Sequence, residues 1–173
     1  MKDGKAPGPD GYLAEFFKLN WNVAGNDVID AIQYCFTNCF MDYPLNSTVL
    51  TLVPKVENAM HMKNFRPIAC CNTLYKCYSV ILINRLKKVI PEIISNTQSA
   101  FVKGKHILDN VLLMHEVVRG YHRKDGSPRA VIKIDTMKAY NPLNWDFLFA
   151  AMKLLGLPAE FVALVDNCVT MVS

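Results

Sequence analysis

At 173 residues, 51% of them apolar, with a mean hydropathy of +0.14, the chain can bury the core of one domain, and no apolar run reaches the roughly 18 residues of a membrane span. A net charge of +4 and a pI near 8.7 permit a nucleic-acid partner without demanding one. Cys35, Cys39, Cys70, Cys71, Cys77 and Cys168 lack the paired spacing with histidines of a zinc site, and no apolar stretch follows Met1-Lys-Asp-Gly-Lys5, so the expectation is reduced thiols in an intracellular protein (nucleus or cytoplasm) that is not secreted.

Gly4 to Gly11 reads as a loop, with three Gly and two Pro in eight residues. Helices are expected from about Tyr12 to Asn20 and from Asn26 to Met41, the second with Val28, Ile32, Cys35, Phe36 and Cys39 at helical spacing; Cys35 and Cys39 read as small buried hydrophobes. Ser47 to Pro54 is β-branched and reads as a strand. The pattern from Thr73 to Val89 predicts a long amphipathic helix, with Leu74, Cys77, Tyr78, Ile81, Leu82 and Leu86 on one face and Pro91 limiting it. A further helix is predicted over Ile107–His122, with Leu108, Val111, Leu112, Val118 and Tyr121 facing inward. After a turn at Lys124–Pro128, Ala130-Val-Ile-Lys-Ile-Asp135 reads as a strand. Helices over Asn144–Leu155 and Ala159–Val172, parted by Gly156 and Pro158, close the chain. The expectation is a helix-rich α+β protein with two or three strands.

A strand that ends on Asp135 fixes a carboxylate at a sheet edge. That is how phosphoryl- and nucleotidyl-transfer sites hold hard Mg²⁺ ions, which take oxygen ligands. Taken alone, a strand-end Asp is more simply the cap of the next helix.

Five blocks, the last containing Asp135, give that residue a context. They are Lys5-Ala-Pro-Gly-Pro-Asp-Gly11 with Glu15-Phe-Phe-Lys18; Leu52-Val-Pro-Lys55 and Phe65-Arg-Pro-Ile68; Cys71-Asn-Thr-Leu-Tyr-Lys76 running to Asn84-Arg-Leu86; Gln98-Ser-Ala-Phe-Val-Lys-Gly104; and Lys133-Ile-Asp135 with Lys138-Ala-Tyr140. In this order and spacing they resemble the reverse transcriptase of non-LTR (LINE-type) retrotransposons, most closely the plant ones. The resemblance implies a partial right-hand polymerase, with fingers and fingers–palm helices over about 1–128 and the first part of the palm over about 129–173. It implies an RNA-directed DNA polymerase that copies an RNA template onto a DNA primer from deoxynucleotide triphosphates, by two Mg²⁺ ions roughly 3.5–4 Å apart.

Residue by residue, Asp135 matches the first catalytic aspartate, a ligand to both ions, and the backbone carbonyl of Thr136 a further ligand. Tyr140 matches the aromatic that excludes a 2′-hydroxyl from the incoming sugar. Lys55 and Arg66 match the residues that grip the triphosphate. Gln98, Phe101 and Gly104 match the segment lining the template and nucleotide side, where Lys105 replaces the usual Arg. Arg85, Lys87, Lys88, Lys103 and Lys105 are candidates for backbone phosphates.

Two departures matter. Asn141-Pro142 replaces the family's Asp and small residue, and no Asp-Asp pair occurs in the 173 residues, although the family's aromatic-x-Asp-Asp hairpin supplies the other metal carboxylate. The expectation is therefore a truncated reverse transcriptase, inactive alone, whose apolar excess reflects missing partner structure and promotes self-association. The alternative is a basic nucleic-acid-binding or interaction remnant without enzymatic activity. A doubly wound α/β domain with Asp135 at a strand end is a weaker rival, because regular βα alternation is lacking.

Overall fold

In the computed structural model the described residues are 4–95, 97–100, 102–119, 121, 130, 132–134 and 143–170. Among them the chain forms seven α-helices and one two-stranded antiparallel sheet, an α+β arrangement rich in helix. It divides into two compact units, one made of residues 1–83 and 149–173, the other of residues 84–148.

In the first unit, α1 (Ala14–Leu19) and α2 (Trp21–Asn38) follow one another almost without pause. Asn20 ends one and begins the next, donating from Nδ2 to the Phe16 carbonyl at 2.9 Å. The sequence places a break as far as Asn26, but the helix runs through Gly25, where the Trp21 indole lies so close that a Cβ would meet the ring at 3.0 Å. Helix α2 stops at Cys39, whose left-handed φ of 48° turns the chain. A short helix, α3 (Tyr43–Asn46), leads into strand β1 (Thr48–Pro54).

The strand β2 (Phe65–Cys71) is one that hydrophobic alternation does not announce. It pairs antiparallel with β1 from Thr48↔Cys71 to Pro54↔Phe65, and the connecting segment closes with a 3₁₀ turn at Met62–Asn64. Only Asn72 separates β2 from the long α4 (Thr73–Ile93). That helix continues two residues past Pro91, because a proline in the last turn forfeits only one main-chain bond.

The core of this unit is built as the α4 pattern predicts. Tyr78 and Leu82 are buried together with Cys35, Met41, Leu164 and Cys168. The Phe36 ring packs on Tyr78 at 4.6 Å between centroids. Polar contacts tie α7 (Ala159–Thr170) to the same core: Tyr75 Oη donates to the Cys168 carbonyl at 2.8 Å, Tyr78 Oη to the Leu164 carbonyl at 3.3 Å, and Asn167 Nδ2 to the Cys39 carbonyl. Helix α6 (Trp145–Leu154) ends in a Schellman arrangement: Gly156, at φ 81°, donates to Lys153 and Leu157 to Met152.

The loop that opens the chain is fastened by Asn72. Its Oδ1 accepts from the Asp10 N–H at 3.2 Å, and its Nδ2 donates to the Pro44 carbonyl at 2.7 Å and the Leu45 carbonyl at 3.4 Å. Thr73 Oγ1 donates to the Tyr12 carbonyl at 2.9 Å, and Lys76 Nζ to the Ala6 carbonyl at 3.0 Å. Gly8 is buried against Asn72, and a Cβ there would overlap both the side chain and the backbone of Asn72.

In the second unit, α5 (Ile107–Val118) begins with a reciprocal capping box between His106 and Asp109 and ends at Arg119, short of the expected His122. Its apolar side chains do not face inward as their spacing suggests: Leu108 and Leu112 are 70% and 67% exposed, Val111 and Tyr121 are also exposed, and only Val118 is half-buried. Helical periodicity says which side chains share a face, but only a neighbouring element buries that face. The strand expected at Ala130–Asp135 is likewise absent among the described residues. Ala130, Ile132, Lys133 and Ile134 lie exposed in no regular element, because a β-branched run becomes a strand only against a ladder partner; Val131 and Asp135 lie outside the described residues. No helix among the described residues is long and apolar enough to cross a membrane.

Two stability measurements test this packing. Replacing Asn72 with Ala leaves the Asp10 N–H and the Pro44 carbonyl without partners and should cost about 2–3 kcal/mol in urea unfolding, whereas Lys76→Ala, which removes an exposed contact, should cost well under half of that. Alkali should also destabilise the first unit. Burial raises the pKa of the Cys35 thiol, with the Asp42 charge adding to it; burial raises Cys77; and burial, then the Cys168 hydrogen bond, raise the Tyr75 phenol. Each group holds its proton more tightly folded than unfolded. Stability should therefore be flat up to the ordinary thiol value of 9.0 and fall above it, where the unfolded chain ionises first. Urea midpoints measured from neutral to about pH 10 give the check, with Cys77→Ala reducing the alkaline loss.

Candidate functional site

The β1–β2 hairpin positions the two cations that the sequence singles out. The Lys55 N–H donates to the Asn64 carbonyl at 2.7 Å, which carries the ladder one step beyond the strands. Val53 pairs with Arg66. Because side chains alternate along a strand, Lys55 shares a face with Val53 and therefore with Arg66 across the ladder.

The Lys55 ammonium donates to the Lys63 carbonyl at 2.9 Å, which holds it at the closed end of the hairpin. Arg66 is exposed, and its guanidinium makes no hydrogen bond or ion pair among the described residues. An ammonium point charge and an uncommitted planar fork on one face suit phosphate oxygens, the ammonium by charge and the fork by bidentate bonding.

Gln98 belongs to the second unit, where its Nε2 donates to the Ala100 carbonyl at 3.3 Å and its side chain is exposed. Nearby, Gly104 takes a φ of 84°, Lys105 Nζ donates to the Ser95 carbonyl at 2.9 Å, and Asn110 Nδ2 donates to Ser99 Oγ at 2.6 Å. Ser99, Ala100, Val102, Lys105, His106, Ile107 and Leu108 line an open cleft of about 410 Å³ at the start of α5. Arg85, Lys87, Lys88 and Lys103 are exposed. Phe101, Asp135, Thr136 and Tyr140, together with Asn141 and Pro142, lie outside the described residues. Among the described residues no cluster of three or more His, Cys, Asp or Glu is placed to hold a metal ion.

Two asparagines carry structural weight that sequence reasoning does not assign. Asn72 stands just before α4, and its amide reaches back to Asp10 and across to Pro44. Asn46 is 1% exposed, with both side-chain polar atoms lacking a hydrogen-bond partner among the described residues; its position in a short polar stretch gives no sign of that burial.

Residues 53–172 match the reverse transcriptase (RNA-dependent DNA polymerase) family, and the chain belongs to that family. The matched span takes in every position assigned above to nucleotide or metal. The relatives are proteins of transposable elements, in agreement with the LINE-type resemblance. The chain is 30% identical over 162 residues to the transposon TX1 uncharacterized 149 kDa protein of Xenopus laevis, covering 94% of this chain and 12% of that protein. It is 24% identical over 162 residues to the retrovirus-related Pol polyprotein from type-2 retrotransposable element R2DM of Drosophila melanogaster, covering 94% of this chain and 15% of that protein. The chain thus spans about an eighth of the length of these relatives.

Proposed function

We propose that the chain is the fingers and the first part of the palm of a retrotransposon reverse transcriptase, with fingers elements over about 1–128 and the palm beginning near 129. In that reading the parent enzyme extends a DNA primer on an RNA template from deoxynucleotide triphosphates. The observation that carries the site assignment is the shared hairpin face of Lys55 and Arg66, two cations from separate sequence blocks that the ladder register brings together.

In the proposed site the Arg66 fork takes two oxygens of the triphosphate and the Lys55 ammonium neutralises its charge. Gln98 and Phe101 are assigned, by the resemblance, to the template and base side, and Tyr140 to the aromatic that excludes a 2′-hydroxyl. The Asp135 carboxylate and the Thr136 carbonyl are oxygen donors of the kind Mg²⁺ takes, and Mg²⁺ held there would activate the primer hydroxyl and stabilise the leaving pyrophosphate. Asn141 supplies no carboxylate, and the 173 residues contain no Asp-Asp pair to complete the set. The second reading, a basic nucleic-acid-binding remnant, draws on the exposed cations Lys87, Lys88 and Lys103 and the net charge of +4.

Titration with deoxynucleotide triphosphate tests the hairpin face. Lys55→Ala and Arg66→Ala should each weaken binding about tenfold, and Arg66→Lys should recover only part of the loss because it restores charge but not the fork. Equal binding by all variants would remove the triphosphate assignment. Binding to a template–primer duplex that falls linearly in log affinity with log salt, and is indifferent to these two changes, would favour the remnant reading.

Primer extension tests activity. The 173-residue chain should extend no primer with Mg²⁺, and Asn141→Asp should not change that. Joined to the remaining palm and thumb of a related enzyme, the chain should support extension, and Asp135→Asn should abolish it, since losing a two-metal ligand removes several kcal/mol of transition-state stabilisation. Extension by the 173 residues alone, or extension that survives Asp135→Asn, would refute the assignment.

A further inference from the structure

The hairpin has two outer edges, and they are not equivalent. The bond from the Lys55 N–H to Asn64 fixes the phase of the ladder, so Val49, Thr51 and Val53 turn their main-chain groups toward β2. Thr48, Leu50 and Leu52 turn theirs outward, where no strand lies alongside among the described residues. On β2 the outward positions include Pro67, opposite Leu52, which has no N–H to offer. Pro54 at the end of β1 also lies outward without an N–H, but Pro67 falls in the middle of its edge. The β2 edge is therefore interrupted centrally, and the β1 edge is open from Thr48 to Leu52.

We propose that the open edge of β1 pairs with the same edge of a second copy of this chain, antiparallel and centred on Leu50. The outward groups are self-complementary about that point. Leu50 faces Leu50 and Thr48 faces Leu52, so each outward N–H at these three positions meets an outward carbonyl across a two-fold axis. Thr48 to Pro54 carries no charge, so identical strands approach without repulsion.

The exposed side chains fit the same register. Leu50 and Leu52 are 67% and 46% exposed and lie on one face, where the two copies would form a continuous leucine patch. Pairing converts two isolated hairpins, each marginal as a two-stranded sheet, into one four-stranded sheet. The assembly closes at the dimer, because both remaining edges are β2 edges interrupted by Pro67. Lys55 and Arg66 sit on the opposite face from Leu50, so the dimer leaves the proposed triphosphate contacts open.

Sedimentation equilibrium of the 173-residue chain over a dilution series is the test. The expected result is a dimer that dissociates on dilution. Leu50→Lys and Leu50→Glu should each weaken self-association at least about tenfold, and mixing the two variants should restore it, because the opposite charges then face one another across the axis. Leu50→Pro removes an N–H that does not bond to β2, so it should give a monomer whose urea midpoint equals that of the wild type at the dilution where the wild type is monomeric. A wild-type monomer at every concentration would overturn the proposal. So would a dimer unaffected by Leu50→Lys but abolished by Leu112→Lys on α5, or a mixture of the Lys and Glu variants that stays monomeric.

Discussion

Asn72 is the constraint on which the rest of the first unit depends. A single buried amide receives the Asp10 N–H and donates to Pro44 and Leu45, so the opening loop, α3 and the start of α4 share one anchor. The loop has little else to hold it. Its glycines and prolines bury scant apolar surface. Beyond the Gly4 N–H bond to Glu15 and bonds within the loop, its main-chain groups find their long-range partners at Asn72 and the first turn of α4. Gly8 follows from the same geometry, since no side chain fits between the loop and Asn72.

From that anchor the chain runs in two directions with different physical character. Along α4 the apolar face closes over Cys35, Met41, Leu164 and Cys168, and the hydroxyls of the half-buried Tyr75 and the buried Tyr78 find carbonyls on α7. Back along β2 no residue of the hairpin strands is buried, and most are exposed, with Thr48, Phe65, Cys70 and Cys71 half-buried. The core therefore fixes where the hairpin starts, and the ladder alone fixes which side chains share its faces. This separation lets a stable unit display Lys55 and Arg66 without burying either charge.

The apolar excess evident in the composition divides along the same lines. Part of it fills the core of the first unit. Much of the remainder is exposed, on α5 and the hairpin, where Leu108, Leu112 and Leu50 are each about two-thirds exposed, and also on α1, α2 and α6 at Leu19, Val23 and Leu154. Exposed apolar area of that extent is the kind of surface that marks an interaction site.

The sequence by itself determined the family, the helix-rich α+β class, the strand at β1 and the buried face of α4, because motif order and local periodicity are properties of the chain alone. It did not reveal β2, since Phe65-Arg-Pro-Ile-Ala-Cys-Cys71 alternates poorly and becomes a strand only by pairing with β1. Periodicity could not distinguish α4, whose apolar face is covered, from α5, whose face is not, because burial depends on a neighbour that no window of sequence contains. The cations Lys55 and Arg66 were legible as candidates, but their common face was not. It was decided by a ladder register that pairs Val53 with Arg66, a long-range contact that forms only when the chain folds back on itself.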